Sequence, residues 1–167
     1  MKKIIILLTV FFTLSFFNYS PVYSAGTSSS SDGYDNAGLY KQGKKLVLRA
    51  KKLEKKNKEE KAKKLYLKAL VKFEKAYEKN KKNADILNYL GFTLRKTGEL
   101  KKAEIFYLKG LELDASHLGI NEYLGELYVV TNRIQLAKER LDVLKACGCE
   151  EFKQLKAIID GTKKSKY

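Results

Sequence analysis

Residues 84–115 read ADILNYLGFTLRKTGELKKAEIFYLKGLELDA, and residues 118–149 read LGINEYLGELYVVTNRIQLAKERLDVLKACGC. A shift of 34 residues lays Tyr89-Leu90-Gly91 on Tyr123-Leu124-Gly125, Thr97 on Thr131, Leu100 on Ile134 and Ala103 on Ala137. A fixed period of this length marks a stacked repeat whose units bury their apolar faces against one another. Within each unit the apolar residues recur at spacings of three and four, the stripe of a helix, and no long period-two alternation signals a strand. Each unit therefore reads as a helix hairpin. Gly91 and Gly125 are expected to let the second helix of the same unit approach closely, because a side chain there would hold it off. Ala103 and Ala137 are the small partners in that contact, and Leu90, Leu94, Leu124 and Tyr128 fill the space on either side.

Working outward, Asn83 is a good N-cap for a helix Ala84–Thr97, which the Thr97-Gly98 pair ends. A fourth helix follows over Glu99–Leu113. Ser116 is expected to cap a fifth running to Val130, and Thr131-Asn132 turns the chain into a sixth, Arg133–Ala146. Beyond the Cys147-Gly148-Cys149 corner, a last helix carries Phe152, Leu155, Ile158 and Ile159 and stops at Gly161. Upstream, Leu46, Leu48 and Leu53 mark a first helix and Asn57 interrupts a Lys/Glu-rich run. A second helix then carries Leu65, Ala69, Leu70, Phe73, Ala76 and Tyr77 to about Asn80.

The pattern of Leu90-Gly91, turn Gly98, Ala103 and Tyr107 resembles the tetratricopeptide repeat family. Gly110 stands where the family usually has Ala, and Ala115 where it has Pro. The next unit keeps Leu124-Gly125, Tyr128 and Ala137 but has Asn132 for the turn Gly and Leu141 for the aromatic. The first unit is degenerate: Ala62, Tyr66, Ala69 and Leu70 come in order, yet Arg49-Ala50 stands at the Leu-Gly place. A second phasing through Ala69, Phe73 and Ala76 fits the same helix one heptad later, which reads as a helix about two turns longer than usual. The resemblance implies an all-α, right-handed α-solenoid of about three helix pairs closed by a capping helix. The organisation that follows is a signal peptide at 1–24, a flexible Ser/Gly-rich linker at 25–38, a degenerate Lys-rich helix pair at 39–83, repeats at 84–117 and 118–149, a capping helix at 150–161 and a basic tail at 162–167.

In that family the first helix of each pair lines a concave groove for protein or peptide partners. Carried over residue by residue, the groove is Lys44, Lys51, Asp85, Asn88, Phe92, Arg95, Glu122, Glu126 and Val129. Chaperone-associated members clamp a peptide carboxylate with Lys and Asn; here Phe92, Gly119 and Tyr123 stand at matching places, a departure from that pattern. Phe92 matches Glu126 one repeat on, a residue not expected to be buried unpaired, so Phe92 reads as an apolar anchor for a partner. Tyr89 and Tyr123 read as packing between helices.

No catalytic constellation appears. His117 is the sole histidine and falls at the turn between repeats, where a polar helix-terminus role is expected; no nucleophile, Gly-rich phosphate loop or metal-spaced cluster accompanies it. Two thiols and one histidine fall short of a four-ligand zinc site. The sequence thus calls for no enzyme activity, metal or cofactor. The Cys147–Cys149 pair, in an exported chain, is expected to form a disulfide; redox chemistry, free thiols and pairing between chains are the other readings.

The chain carries a net charge of +15, unevenly placed: Lys41 to Lys82 holds 18 basic and 5 acidic residues, Asn83 to Tyr167 14 and 12. Such a segment raises contact with anionic membrane, polymer or protein surfaces. Beyond residue 24 there are 28 Lys and only four Arg, Arg49, Arg95, Arg133 and Arg140. Arg is the residue that reads phosphate bidentately, so nucleic acid is not an expected partner.

Lys2 and Lys3 followed by the apolar Ile4 to Phe17 and the small-residue pattern Val22-Tyr23-Ser24 read as a secretory signal peptide. The 14 apolar residues span roughly 21 Å, short of the ~30 Å hydrocarbon core. The whole chain is similar to small exported tetratricopeptide proteins of Gram-negative bacteria, which places it in the periplasm or outside the cell after cleavage near Ser24. Intact-mass measurement on native protein is expected to give an N-terminus at Ala25 or Gly26; a mass that retains residues 1–24 would make the chain membrane-tethered.

Overall fold

The computed structural model describes residues 32–165; the expected signal peptide lies outside the described residues. Seven α-helices follow in order: α1 (Asp32–Glu54), α2 (Glu59–Lys79), α3 (Ala84–Thr97), α4 (Leu100–Leu113), α5 (Leu118–Val130), α6 (Ile134–Leu144) and α7 (Glu150–Ile159), with a 3-10 turn at Lys145–Cys147. They stack as three antiparallel pairs, α1/α2, α3/α4 and α5/α6, and α7 packs on α5 and α6. The architecture is an all-α solenoid.

Helix boundaries follow from local chemistry. The Asn83 side chain accepts the Ile86 amide at 3.0 Å, capping α3, and Gly98 ends it at φ 96°. Asn132, at φ 57°, takes the left-handed turn position that Gly98 holds one repeat earlier, and Asn57, at φ 54°, does the same between α1 and α2. Two boundaries differ from expectation. Residues 32–38 are helical and not linker, since Leu39 and Tyr40 are fixed by the core and extending a nucleated helix costs less than starting one. The α5 cap is His117, whose Nδ1 accepts the Ile120 amide at 3.2 Å; Ser116 instead turns its own amide and hydroxyl onto Asp114 Oδ1.

The pairs close by ring-on-glycine contacts. A Cβ at Gly91 would meet the Tyr107 ring of α4 at 2.5 Å, the close approach the sequence calls for. Gly125 differs: its neighbour is Leu155 of α7 at 2.5 Å, not a residue of α6. Leu141, at the aromatic place of α6, is too short to fill that space, and the capping helix fills it. In the first pair Arg49-Ala50 keeps the Leu-Gly place: Ala50 and Tyr66, both buried, stand 16 apart as Gly91 and Tyr107 do, and Ala50 precedes Asn57 by seven residues as Gly91 precedes Gly98. A further contact lies one heptad away from the turn, where a Cβ at Gly43 would meet the Phe73 ring at 2.6 Å. Gly43 and Phe73 stand 30 apart in sequence, so the first hairpin is longer by about a heptad in each arm. Helices of 23 and 21 residues against 14 and 14 carry that length.

Replacing Gly91 with Ala puts a methyl into the Tyr107 ring and is expected to cost about 1–3 kcal/mol. Gly38→Ala, whose Cβ meets nothing within 4 Å, is expected to be neutral or stabilising by up to ~1 kcal/mol through helix propensity. Urea denaturation of the two variants reads the contrast; equal midpoints would contradict the packing account.

Candidate functional site

The first helix of every pair, and α7 after them, faces one cleft of about 400 Å³. Lys51 and Glu54 come from α1 and Lys55 from the turn after it, Phe92, Arg95 and Lys96 from α3, Glu122, Tyr123 and Glu126 from α5, and Glu150, Gln154 and Ile158 from α7, with Lys163 and Lys164 also lining it. The 3.6-residue period explains the selection: residues at three- and four-spacing on each first helix share the face turned from its partner. A broader neighbouring groove is lined by Tyr40, Lys44, Asp85, Asn88, Tyr89 and His117.

The floor is aromatic. Tyr40, Phe73 and Tyr89 pack with ring centroids 5.0–6.0 Å apart, and Tyr66, Phe92 and Tyr123 form a second group at 5.0–5.8 Å. Cations roof both: Lys44 Nζ lies 5.2 Å from the Tyr40 ring centre, Lys51 Nζ 4.7 Å from Phe92 and the Arg95 guanidinium 5.3 Å from Tyr123. Phe92 is only 3% exposed and belongs to the core. This corrects its reading as an open anchor. The inference from its counterpart fails because Glu126 is buried too, and is not unpaired: Arg95 Nη1 donates to its Oε2 at 2.6 Å. A buried carboxylate held by a guanidinium is tolerated where a lone one is not.

A second inward pair joins the long hairpin to α3. Lys96 Nζ lies 2.6 Å from Glu54 Oε1, and the Tyr66 hydroxyl donates to Glu54 Oε2 at 2.9 Å. Glu54 and Lys96 escape the sequence reading of the groove, since which charges turn inward depends on a partner in another helix. Burial pulls the Lys51 amine below its ordinary value, with Arg95 acting the same way and Glu122 opposing. Burial likewise pushes the Glu122 carboxyl up to about 8, reinforced by Glu126 and Glu151 and opposed by Lys51 and Arg95.

The other expected groove residues distribute unevenly. Asn88 is buried beside Gly119, and its Oδ1 makes no hydrogen bond within the chain. Asp85 is exposed, 3.4 Å from His117 Nε2. Val129 packs against the second core cluster. Cys147 and Cys149 are joined at 2.01 Å, next to the α7 start. Among the described residues no group of three or more His, Cys, Asp or Glu is placed to hold a metal, and no helix is long and apolar enough to cross a membrane.

Residues 72–105 match the tetratricopeptide repeat family model, from the end of α2 to the start of α4. That stretch is similar to one tetratricopeptide repeat. Among solved structures, the chain is similar to the second tetratricopeptide repeat domain of human RPAP3, solved in complex with the HSP70 peptide SGPTIEEVD. That likeness has a TM-score of 0.50 at 17% identity over 75% of this chain and 98% of that one, and it is one of fold. The Yersinia enterocolitica type III secretion translocator chaperone SycD is also similar, at TM-score 0.49 and 17% identity over 72% of this chain and 88% of that one. No curated protein matches the sequence.

The raised Glu122 carboxyl makes stability pH-dependent. The folded state keeps a proton that the unfolded chain, near the ordinary 4.5, has released, so this contribution is present below that value and lost as pH rises through about 8. The facing charges are Glu126 on α5, Glu151 on α7, Lys51 on α1 and Arg95 on α3. Glu122→Gln is expected to flatten the fall in denaturation midpoint between about pH 5 and 9 and to exceed the parent at the alkaline end. Parallel profiles for the two proteins would contradict a buried, proton-holding Glu122.

Proposed function

We propose that the chain is an exported, non-catalytic scaffold that seats a protein or peptide partner on its concave face. One observation carries this reading: four helices separated in sequence converge side chains on a single cleft with an aromatic floor and charged walls. The floor is fixed by core packing and the charges by inward pairs, so little side-chain entropy is lost when a partner binds. The same fold in the human RPAP3 domain accommodates a peptide. Export rests on the signal-peptide pattern of Met1–Ser24, which also supports a periplasmic or secreted location.

The non-catalytic reading rests on the commitments of the side chains that chemistry would need. His117 spends Nδ1 on the α5 cap and faces Asp85 with Nε2, and the adjacent Ser116 hydroxyl donates to Asp114. No nucleophile is thereby delivered to the imidazole.

A second reading is favoured by the outer face of α1. Lys41, Lys45, Arg49 and Lys52 are all exposed there around Leu48, itself 59% exposed, while Glu54, the acid of the same stretch, turns inward to Lys96. A face of one sign with an exposed apolar residue suits an anionic surface. The readings separate by salt. A partner held in the cleft without crosslinking keeps its contact with the aromatic floor and is expected to weaken less between about 50 and 200 mM salt than attachment through α1, which falls steeply over that range and is lost in Lys45→Glu with Lys52→Glu. Loss of every captured partner in that variant would replace the scaffold with an electrostatic adaptor.

A further inference from the structure

The cleft walls differ in sign. Lys51, Lys55, Arg95 and Lys96 line the α1–α3 side, and Glu122, Glu126 and Glu150 the α5–α7 side. The inward pairs do not cancel this difference. Arg95 answers Glu126, and Lys96 answers Glu54 on its own side of the cleft. Glu122 and Glu150 are left on the far wall with Glu151 close behind, and the facing cations do not offset burial and like charge at Glu122. An arriving ammonium stabilises the ionised form of Glu122, which otherwise holds its proton to about pH 8, and offsets the like charge of Glu126 and Glu151 that helps raise it.

The chain itself supplies such a group. Past α7 the backbone folds back: the Lys163 amide donates to the Ala157 carbonyl at 3.0 Å and the Thr162 hydroxyl to the same oxygen at 3.1 Å. That turn puts Lys163 and Lys164 along the cleft and lets the Ser165 hydroxyl donate to Glu126 Oε2 at 3.1 Å. A basic, hydroxyl-bearing segment thus lies beside the acidic wall, in contact with it through Ser165.

We propose that the α5–α7 wall is a seat for a short basic peptide segment, and that residues 162–165 occupy it as a displaceable internal competitor. This rests on the concave cleft being the partner-binding face and gives that partner a chemistry: lysines spaced by Ser or Thr, lying along Glu122, Glu126 and Glu150. Lys163 and Lys164 are exposed and Ser165 makes a single side-chain bond, so release of the tail breaks no core packing. A partner segment with more cations, or one tethered by contacts elsewhere in the cleft, outcompetes it.

The test uses the full chain and fluorescent acetylated peptides, TKKSK and its charge-reversed form TEESE, at low ionic strength. TKKSK is expected to bind the chain carrying Lys163→Glu and Lys164→Glu roughly tenfold more tightly than the unaltered chain, because the internal competitor is then repelled from the wall. Adding the exposed Glu150→Lys to that variant is expected to weaken TKKSK by about fivefold and to improve TEESE, with the circular dichroism spectrum unchanged. The proposal is overturned if TEESE binds as tightly as TKKSK, or if the tail reversals leave TKKSK affinity unchanged. Capture of a partner in the cleft with no binding of TKKSK overturns the basic-segment reading and leaves the scaffold standing; a cleft that takes neither peptide nor partner removes both.

Discussion

The Arg95–Glu126 pair is the contact on which the concave face depends. It ties α3 to α5 across the boundary between repeats, at 2.6 Å and nearly out of solvent. Each member alone would be costly to bury, so the two first helices must keep the separation at which the bridge forms. With that spacing fixed, Phe92 and Tyr123 meet at 5.0 Å and Lys51 reaches over both rings. The groove floor follows from one buried ion pair, while the proton affinity of Glu122, one turn before Glu126 on α5, comes first from its own burial.

The long first hairpin is the second constraint. Next to its turn Glu54 takes Lys96 and the Tyr66 ring packs against Phe92, while Gly43 and Phe73 lengthen the pair away from the turn. Turning Glu54 inward is also what leaves the outer face of α1 basic from Lys41 to Lys52. The same residues therefore close the cleft at one end and give the molecule its positive side.

Sequence alone reads the second repeat well, because Gly91, Gly98, Ala103 and Tyr107 each answer a steric demand that few other residues meet. It reads the longer α2 through the second phasing on Ala69, Phe73 and Ala76. It places the first Leu-Gly position at Arg49-Ala50 through the order of Ala62, Tyr66, Ala69 and Leu70, and what it misses is Gly43, which meets the Phe73 ring one heptad further from the turn. Helix periodicity selects the groove face, yet it treats Phe92 and Glu126 as independent residues. Whether a charge is buried depends on its partner, and Arg95 lies 31 positions from Glu126. Nothing periodic announces the tail, whose position follows from two hydrogen bonds to Ala157.

The central claim is that partners enter from the concave side. Site-specific photocrosslinking in the native cell tests it most directly, with the crosslinker placed at Lys55 or Gln154 in the cleft and at Leu67 or Leu108 outside it. Leu67 and Leu108 are 47% and 43% exposed on α2 and α4 and do not line the cleft, so they report the outer face. The account predicts adducts from the two cleft positions and none from the outer two. Adducts from Leu67 and Leu108 alone would place the partner on the second helices and contradict it.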